Sequence, residues 1–483
     1  MSTSTYTSLY AFAALNSDGS VVTWGHSSWG GDTTVPNDVS ASLTSGVSAI
    51  YSTESAFAAL KSDGSVVTWG NSNNGGNSSG VSASLTSGVS AIYSTQTAFA
   101  AVKSDGSLVT WGDSRYGGDT TVPTGVAPDL TSGVLTIYST KYAFAALKSD
   151  GSVVTWGSSS YGGNSSGVSA SLMSDVSTIY SNNYAFAALK SDGSVVTWGN
   201  SNNGGNSSGV SASLTSGVSA IYSNQRAFAA VKSDGSVVTW GSSYYGGDSS
   251  GVAASLTSGV TTIYSTEGAF AALKSDGSVV TWGDSRYGGD TTVPTGVAPD
   301  LTNVQTIYSN QRAFAAVKND GSVVTWGDSG RGGDSSGVAA SLTSGVSAIY
   351  SNQRAFAAVK NDGSVVTWGD SGRGGDSSGV AASLTSGVSA IYSNQLAFAA
   401  VKSDGSVVTW GNSTYGGNSS GVTLTDVVVI SYGKHYYQGQ YYTNTVPIAT
   451  LPPPPPLPPQ PICFPSGTPV TTDQGPVAIE KIN

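Results

Sequence analysis

The chain has 483 residues, a formal net charge of −10 and a single cysteine, Cys463. The charge is spread along the sequence with no basic stripe, which excludes nucleic-acid binding by phosphate neutralisation. One cysteine excludes an internal disulfide framework. No apolar run is long enough to span a bilayer, so neither nucleic acid nor membrane is an expected partner. A composition with 63 glycines and 10% charged residues borders on that of disordered chains, but 38% apolar residues and periodic Trp and Phe point to a buried core.

Residues 8–15 (SLYAFAAL) have the look of a secretory apolar segment. No basic residue precedes them, and the same segment recurs in nine later copies, so it reads as a strand and not a signal. The sequence names no compartment. The copies begin at Ala11, Ala56, Ala98, Ala143, Ala185, Ala227, Ala269, Ala313, Ala355 and Ala397, and their tryptophans recur every 42 to 45 residues. That period suits a four-stranded propeller blade or one solenoid unit. Helical solenoids are excluded because Gly, Ser, Thr and Val dominate and no stretch has apolar residues at helical spacing.

Within one copy, residues 98–112 (AFAAVKSDGSLVTWG) predict a hairpin turning at Asp105-Gly106. A two-residue turn there sets Val102 opposite Val109 and Ala100 opposite Trp111. Both faces are then largely apolar, so each hairpin must be covered on two sides, and neighbouring copies are the obvious cover. Residues 91–94 (AIYS) predict a first strand, and residues 81–85 (VSASL) a weak fourth strand. In the first copy Tyr6 aligns with Tyr93. Pro36, Pro123 and Pro294 mark short insertions suited to an edge or outer loop. Residues 311–352 and 353–394 are identical, so these two repeats must accept interchangeable neighbours.

After Trp410 the pattern decays. Residues 427–432 (VVVISY) predict the first strand of an eleventh unit, and residues 435–442 (HYYQGQYY) replace its hairpin. The expected organisation is all-β. It comprises a β-propeller-like array of ten roughly 42-residue four-stranded repeats over 1–425 and a closing or capping segment over 426–447. A polyproline linker over 448–461 and a short tail over 462–483 follow. The strand at 427–432 is expected to help close the ten units into a ring.

The pattern A-L-K-x-D-G-x-V-x-x-W-G followed by a Gly-rich turn, as in residues 59–76, resembles the repeat of the regulator of chromosome condensation family. The likeness covers residues 5–425 and implies a β-propeller that serves as a protein-interaction platform. The chain departs from that family in having shorter units, ten instead of seven, and YGGD or NGGN where the family has G-Q-L-G. Nucleotide exchange is not implied, because no residue matches a motif for it.

Little in the chain carries chemistry. His26 and His435 each stand alone outside the repeat consensus, and no Ser-His-Asp set, zinc spacing or phosphate loop is present. The repeated Asp63, Asp105 and their equivalents read as turn formers. Asp328 and Asp334 flank an oxygen-rich Gly-Gly loop of the kind hard cations favour, but as a solvated turn it needs no metal. No cofactor or metal is expected.

Variation inside the constant framework marks a candidate binding surface. One variable pair precedes the hairpin: Glu54-Ser55, Gln96-Thr97, Lys141-Tyr142, Asn183-Tyr184, Gln225-Arg226, Glu267-Gly268, Gln311-Arg312, Gln353-Arg354 and Gln395-Leu396. A second variable position precedes Gly-Gly: Trp29, Asn74, Tyr116, Tyr161, Asn203, Tyr245, Tyr287, Arg331, Arg373 and Tyr415. Trp, Tyr and Arg anchor interfaces. The expected binding residues are therefore Trp29, Tyr116, Tyr142, Tyr161, Tyr184, Arg226, Tyr245, Tyr287, Arg312, Arg331, Arg354, Arg373 and Tyr415, arranged as rings on one face.

Residues 463–482 (CFPSGTPVTTDQGPVAIEKI) resemble the opening of a Hint domain, the self-processing module of hedgehog proteins and inteins. The resemblance implies that Cys463 attacks the Ile462–Cys463 bond as nucleophile, and only where the remainder of such a domain follows. The sequence thus points to a non-catalytic scaffold binding a protein partner through its repeat loops. The alternatives are a self-processing precursor carrying the propeller as cargo or display module, and a glycan-binding or structural surface protein.

Overall fold

A computed structural model describes residues 4–7, 11–16, 18–120, 127–291 and 300–420, with short strands at 435–437, 440–442, 469–472 and 475–478. Pro123, Pro294, the expected strand at 427–432, the polyproline stretch and Cys463 lie outside the described residues. Two bodies are distinguished, Met1–Asn444 and Thr445–Asn483. The second contains an antiparallel hairpin, Pro469–Thr472 against Gly475–Ala478. Among the described residues no helix is long and apolar enough to cross a membrane.

The first body repeats one three-stranded antiparallel sheet ten times, in the order first, middle, last. In the third repeat these strands are Val89–Ser94, Ala98–Lys103 and Leu108–Gly112. In the first they are Ser4–Thr7, Ala11–Leu15 and Val21–Gly25, with Tyr6 opposite Ala13 as Tyr93 is opposite Ala100. The all-β propeller-like reading holds.

Two details differ from the sequence expectation. The hairpin turn contains three residues instead of two: Lys103 N–H donates to Ser107 O at 2.8 Å, and Gly106 takes φ +77°. A type I turn followed by a left-handed residue gives this longer loop. The register accordingly moves by one, pairing Phe99 with Trp111, Ala100 with Thr110 and Ala101 with Val109. The expected fourth strand is a 3-10 helix, Ser79–Leu85, whose only buried residue is Leu85. It packs over the last strand of the following repeat. A short helix of Ser, Gly and Ala thus shields what would be an open sheet edge.

The corrected register explains the core. Phe99 and Trp111 stack with ring centroids 5.1 Å apart, and with Ala101 they pack on Ala56, Ala58 and Leu60 of the preceding repeat. On the opposite face Ala98 and Ala100 receive Phe144 and Trp156 of the next. Alanine is a poor strand former, but a small residue on one sheet is what allows a Phe–Trp pair on its neighbour to close the gap. The joint to the preceding repeat is also pinned by polar bonds. Trp111 Nε1 donates to Gly75 O at 3.0 Å, and Ser94 Oγ donates to Ser52 O of the previous repeat at 2.8 Å.

The tenth repeat packs on the first: Phe12, Ala14 and Trp24 share a core with Tyr392, Ala397, Ala399 and Val401. The array is therefore a closed ring. Its seam uses the same large-against-small packing as every other joint, through residues well before 427.

Candidate functional site

Main-chain bonds bring the two variable positions of a repeat together. Thr95 Oγ1 accepts from Ala98 N and donates to Tyr116 O, while Asp113 N donates to Thr97 O. Asn182 does the same work in the fifth repeat, its Oδ1 accepting from Ala185 N and its Nδ2 donating to Asn203 O. The segment before the hairpin and the loop before Gly-Gly are thus tied side by side.

Inward of this tie runs a belt of main-chain hydrogen bonds from repeat to repeat. Glu54 N donates to Gln96 O, Gln96 N to Lys141 O, Lys141 N to Asn183 O, and so on through Gln225 and Glu267 to Gln311, at 2.9 to 3.3 Å. Burial pushes the Glu267 carboxyl up to about 7, opposed by the charges of Arg312, Arg331 and Lys141. Lys141 stands three repeats away, so the belt's side chains share one electrostatic neighbourhood. The belt column shows in the sequence as variation, but its main-chain connection does not.

Around the belt the predicted binding residues are all half-buried. Many of them interlock across repeats. Tyr116 stacks on Tyr142 at 4.1 Å, Tyr142 meets Tyr161 edge-on at 4.9 Å, and Tyr161 stacks on Tyr184 at 5.0 Å. The Arg226 guanidinium lies 5.2 Å from the Tyr184 ring and 5.0 Å from that of Tyr245. Tyr245 neighbours Tyr287 at 6.3 Å, and Arg312 sits 4.7 Å over Tyr287. Burial, with Glu54 and the neighbouring tyrosines adding to it, pushes the Tyr142 hydroxyl up to about 12.

The band then turns cationic. Arg312 and Arg331 approach the Asp328 carboxylate at 3.9 and 3.7 Å, and Arg354 approaches Asp370 at 3.6 Å. Arg373 follows in the same column. Trp29 meets the His26 ring edge-on at 6.0 Å. Asp328 drew notice in the sequence only as a candidate cation ligand and Gln311 only as part of a variable pair. Their pairing with arginines, Gln311 accepting from Arg331 Nη1 at 3.2 Å, and Asp370 as a partner of Arg354, were not foreseen. They sit in consensus or belt positions.

No group of His, Cys, Asp and Glu suited to a metal ion occurs among the described residues. Of the two carboxylates in the Gly-Gly loop, Asp328 faces arginines and Asp334 accepts from Ser336 N at 2.8 Å.

The ring of ten sheets defines the class: an all-β, propeller-like repeat array. No protein-family model and no curated protein matches the chain. Solved structures of similar shape include yeast RCC1 (Prp20) bound to Kap60, at 16% identity over 61% of this chain and 74% of that one, with TM-score 0.32. The CRINKLY WD40 ectodomain of the Arabidopsis thaliana receptor kinase ACR4 gives 17%, 56%, 90% and 0.30 in the same order. The computationally designed Ika8 protein gives 13%, 67%, 96% and 0.28. The assignment to a propeller rests on the closed ring of sheets in this chain.

Proposed function

We propose that the ring is a non-catalytic scaffold that binds a protein partner on the face carrying the Tyr–Arg band. The observation that supports this most is the coalescence of sequence variation. Positions that differ between otherwise near-identical repeats interlock on one face, while the framework between them stays constant. Half-buried Tyr and Arg, held in place by their neighbours, are the residues that anchor protein interfaces at low entropic cost. Tyr116 stacks on Tyr142 and Tyr161 on Tyr184, and the two pairs meet edge-on, so each of these rings has a face covered by a neighbour. Sugar stacking needs free ring faces, so this arrangement favours a protein over a glycan. Autoprocessing at Cys463 is a separate proposal that rests on the tail sequence alone.

A photo-crosslinking residue placed at Tyr184, and another at the exposed Tyr244, tests the scaffold reading in a lysate of the source cells. A discrete protein adduct at Tyr184, absent at Tyr244, is expected. Equal labelling at both positions, or none at either, overturns it.

A further inference from the structure

In a chain of net charge −10, four arginines follow one another around the eighth and ninth repeats: Arg312, Arg331, Arg354 and Arg373. Within salt-bridge distance they find two carboxylates, Asp328, shared by Arg312 and Arg331, and Asp370, beside Arg354. The buried Glu267 carboxyl, which titrates near 7, adds a third and more distant negative group near Arg312 and Arg331, and the four arginines still outnumber the carboxylates around them. The pairs that do form span 3.6 to 3.9 Å, beyond the ~2.7–2.9 Å of a close charge-assisted bond. Through more exposed arginines the same chain builds tight pairs, Arg115–Asp113 at 2.8 Å and Arg286–Asp284 at 2.9 Å. The loose pairing on the band is therefore a local property.

A second observation points the same way. The Nε groups of Arg226, Arg312 and Arg354, at the same place in three repeats, are buried without an acceptor among the described residues, and only the last two stand in the arginine cluster. A buried donor left unbonded is costly, and an incoming oxygen removes that cost. The guanidiniums are also held before any ligand arrives. Arg312 lies over the Tyr287 ring, and Arg331 donates to Gln311 Oε1. Burial and the like charges of Arg312 and Arg354 lower the pKa of Arg331 below the usual guanidinium range.

We propose that Arg312, Arg331 and Arg354, with Arg373 beside them, form a site for a doubly charged tetrahedral oxyanion, a phosphate or sulfate ester carried by the partner. The proposal rests on the scaffold reading and gives its partner a chemistry. A carboxylate brings one charge and two oxygens, whereas a tetrahedral dianion brings two charges and oxygens enough for several guanidiniums. Its oxygens also suit the planar donor forks of several guanidiniums at once.

Titration calorimetry of the full chain at low salt, with inorganic phosphate, sulfate and acetate as probes, tests the site. Phosphate at pH 7.5 and sulfate should bind, and acetate should bind at least about tenfold more weakly. Arg331→Gln and the pair Arg312→Gln/Arg354→Gln should each weaken phosphate about tenfold or more. Arg286→Gln, which breaks the pair with Asp284 outside the cluster, should bind as the unchanged chain does, and unaltered thermal melting certifies that each variant is folded. Phosphate binding should also fall at pH 5 relative to sulfate, because phosphate is protonated and sulfate is not, while protonation of Glu267 affects both alike. Matched phosphoserine and sulfotyrosine peptides then separate the two sources. Undetectable phosphate binding, or equal affinity in the Arg331→Gln chain, overturns the proposal. Should the Tyr184 crosslink to a partner persist unweakened in Arg331→Gln, the scaffold reading stands and the dianion site falls.

Discussion

Gly416, in the last repeat, is keyed to Phe12 in the first. A Cβ on Gly416 would stand 2.4 Å from Phe12 Cε2, and its φ of +93° is one that side chains avoid. Gly416→Ala therefore pushes on the ring seam with both a clash and backbone strain, and should cost about 1–3 kcal/mol. Hydrogen exchange should rise first in the first and tenth repeats while the fifth and sixth stay protected. Uniform loss around the ring would contradict closure at this joint.

The seam also lacks one bond. Trp240 Nε1 donates to Gly204 O at 3.1 Å, whereas Trp24 Nε1 is buried without a partner among the described residues. Both indoles stack on a phenylalanine, at 5.2 and 5.0 Å. Replacing either by Phe removes similar bulk, so Trp240→Phe should be the more destabilising by about 1 kcal/mol, the worth of one hydrogen bond. Urea melts of the two variants measure the gap directly.

Truncating Trp240 to alanine deletes the stack as well as the bond and should cost about 3–5 kcal/mol. Because a repeat touches only its neighbours, the damage should stay within the fifth to seventh repeats. Residue-resolved exchange after Trp240→Ala locates it.

Turn aspartates supply an acid response. In Asp105 the bonds from the Ser107 hydroxyl and amide hold the carboxyl below its ordinary range, and Asp63, Asp150, Asp192, Asp234, Asp276, Asp320, Asp362 and Asp404 behave alike. A depressed folded-state pKa stabilises above the unfolded value of about 3.9, and that contribution is lost as pH falls through the folded value. Melting temperature should be level from pH 7 to 5 as far as these groups go, then drop below pH 4. Replacing the paired serines, Ser107 among them, with alanine should blunt the drop.

Glu267 works in the opposite sense. Its folded pKa of about 7 lies above the ordinary glutamate value of about 4.3, so between those values the folded chain keeps a proton that the unfolded chain has lost. Stability contributed by this site falls as pH rises across that window and is level above it. Glu267→Gln should match the parent at pH 4 and become progressively more stable relative to it up to pH 7. A difference in urea midpoint that is flat from pH 4 to 8 would rule this out.

Much of this was legible in residues. Recurrence of the Asp-Gly pair and of Trp fixed the number of hairpins, because turn chemistry and periodicity are local. The register was not legible, since Asp105-Gly106 serves a two- or a three-residue turn and only the left-handed Gly106 flanked by the Lys103–Ser107 bond decides. Residues 81–85 failed as a strand because Leu85 alone is fully buried, with Val81 partly buried one helical turn away, and the serines between them accept helical turns. The binding columns were visible as variation. That Arg226 lies between Tyr184 and Tyr245 was not, because adjacent repeats contribute those rings and their contact depends on the angle between sheets.

The ladder of serine hydroxyls, Ser94 to Ser52, Ser139 to Ser94 and onward to Ser393 and Ser351, is the same bond made again at each step. A joint repeated so closely from Ser52 to Ser393 carries no record of how many joints there are. The count is held by angle alone: ten equal steps of about 36° return the chain to its start. The identical stretches 311–352 and 353–394 show what that permits. A whole repeat can be copied into such a ring without inventing a single new contact, provided the remaining joints share out the change in angle. Growth by insertion is thus open to the framework, while each added repeat brings its own loop residues to the face for selection to act on.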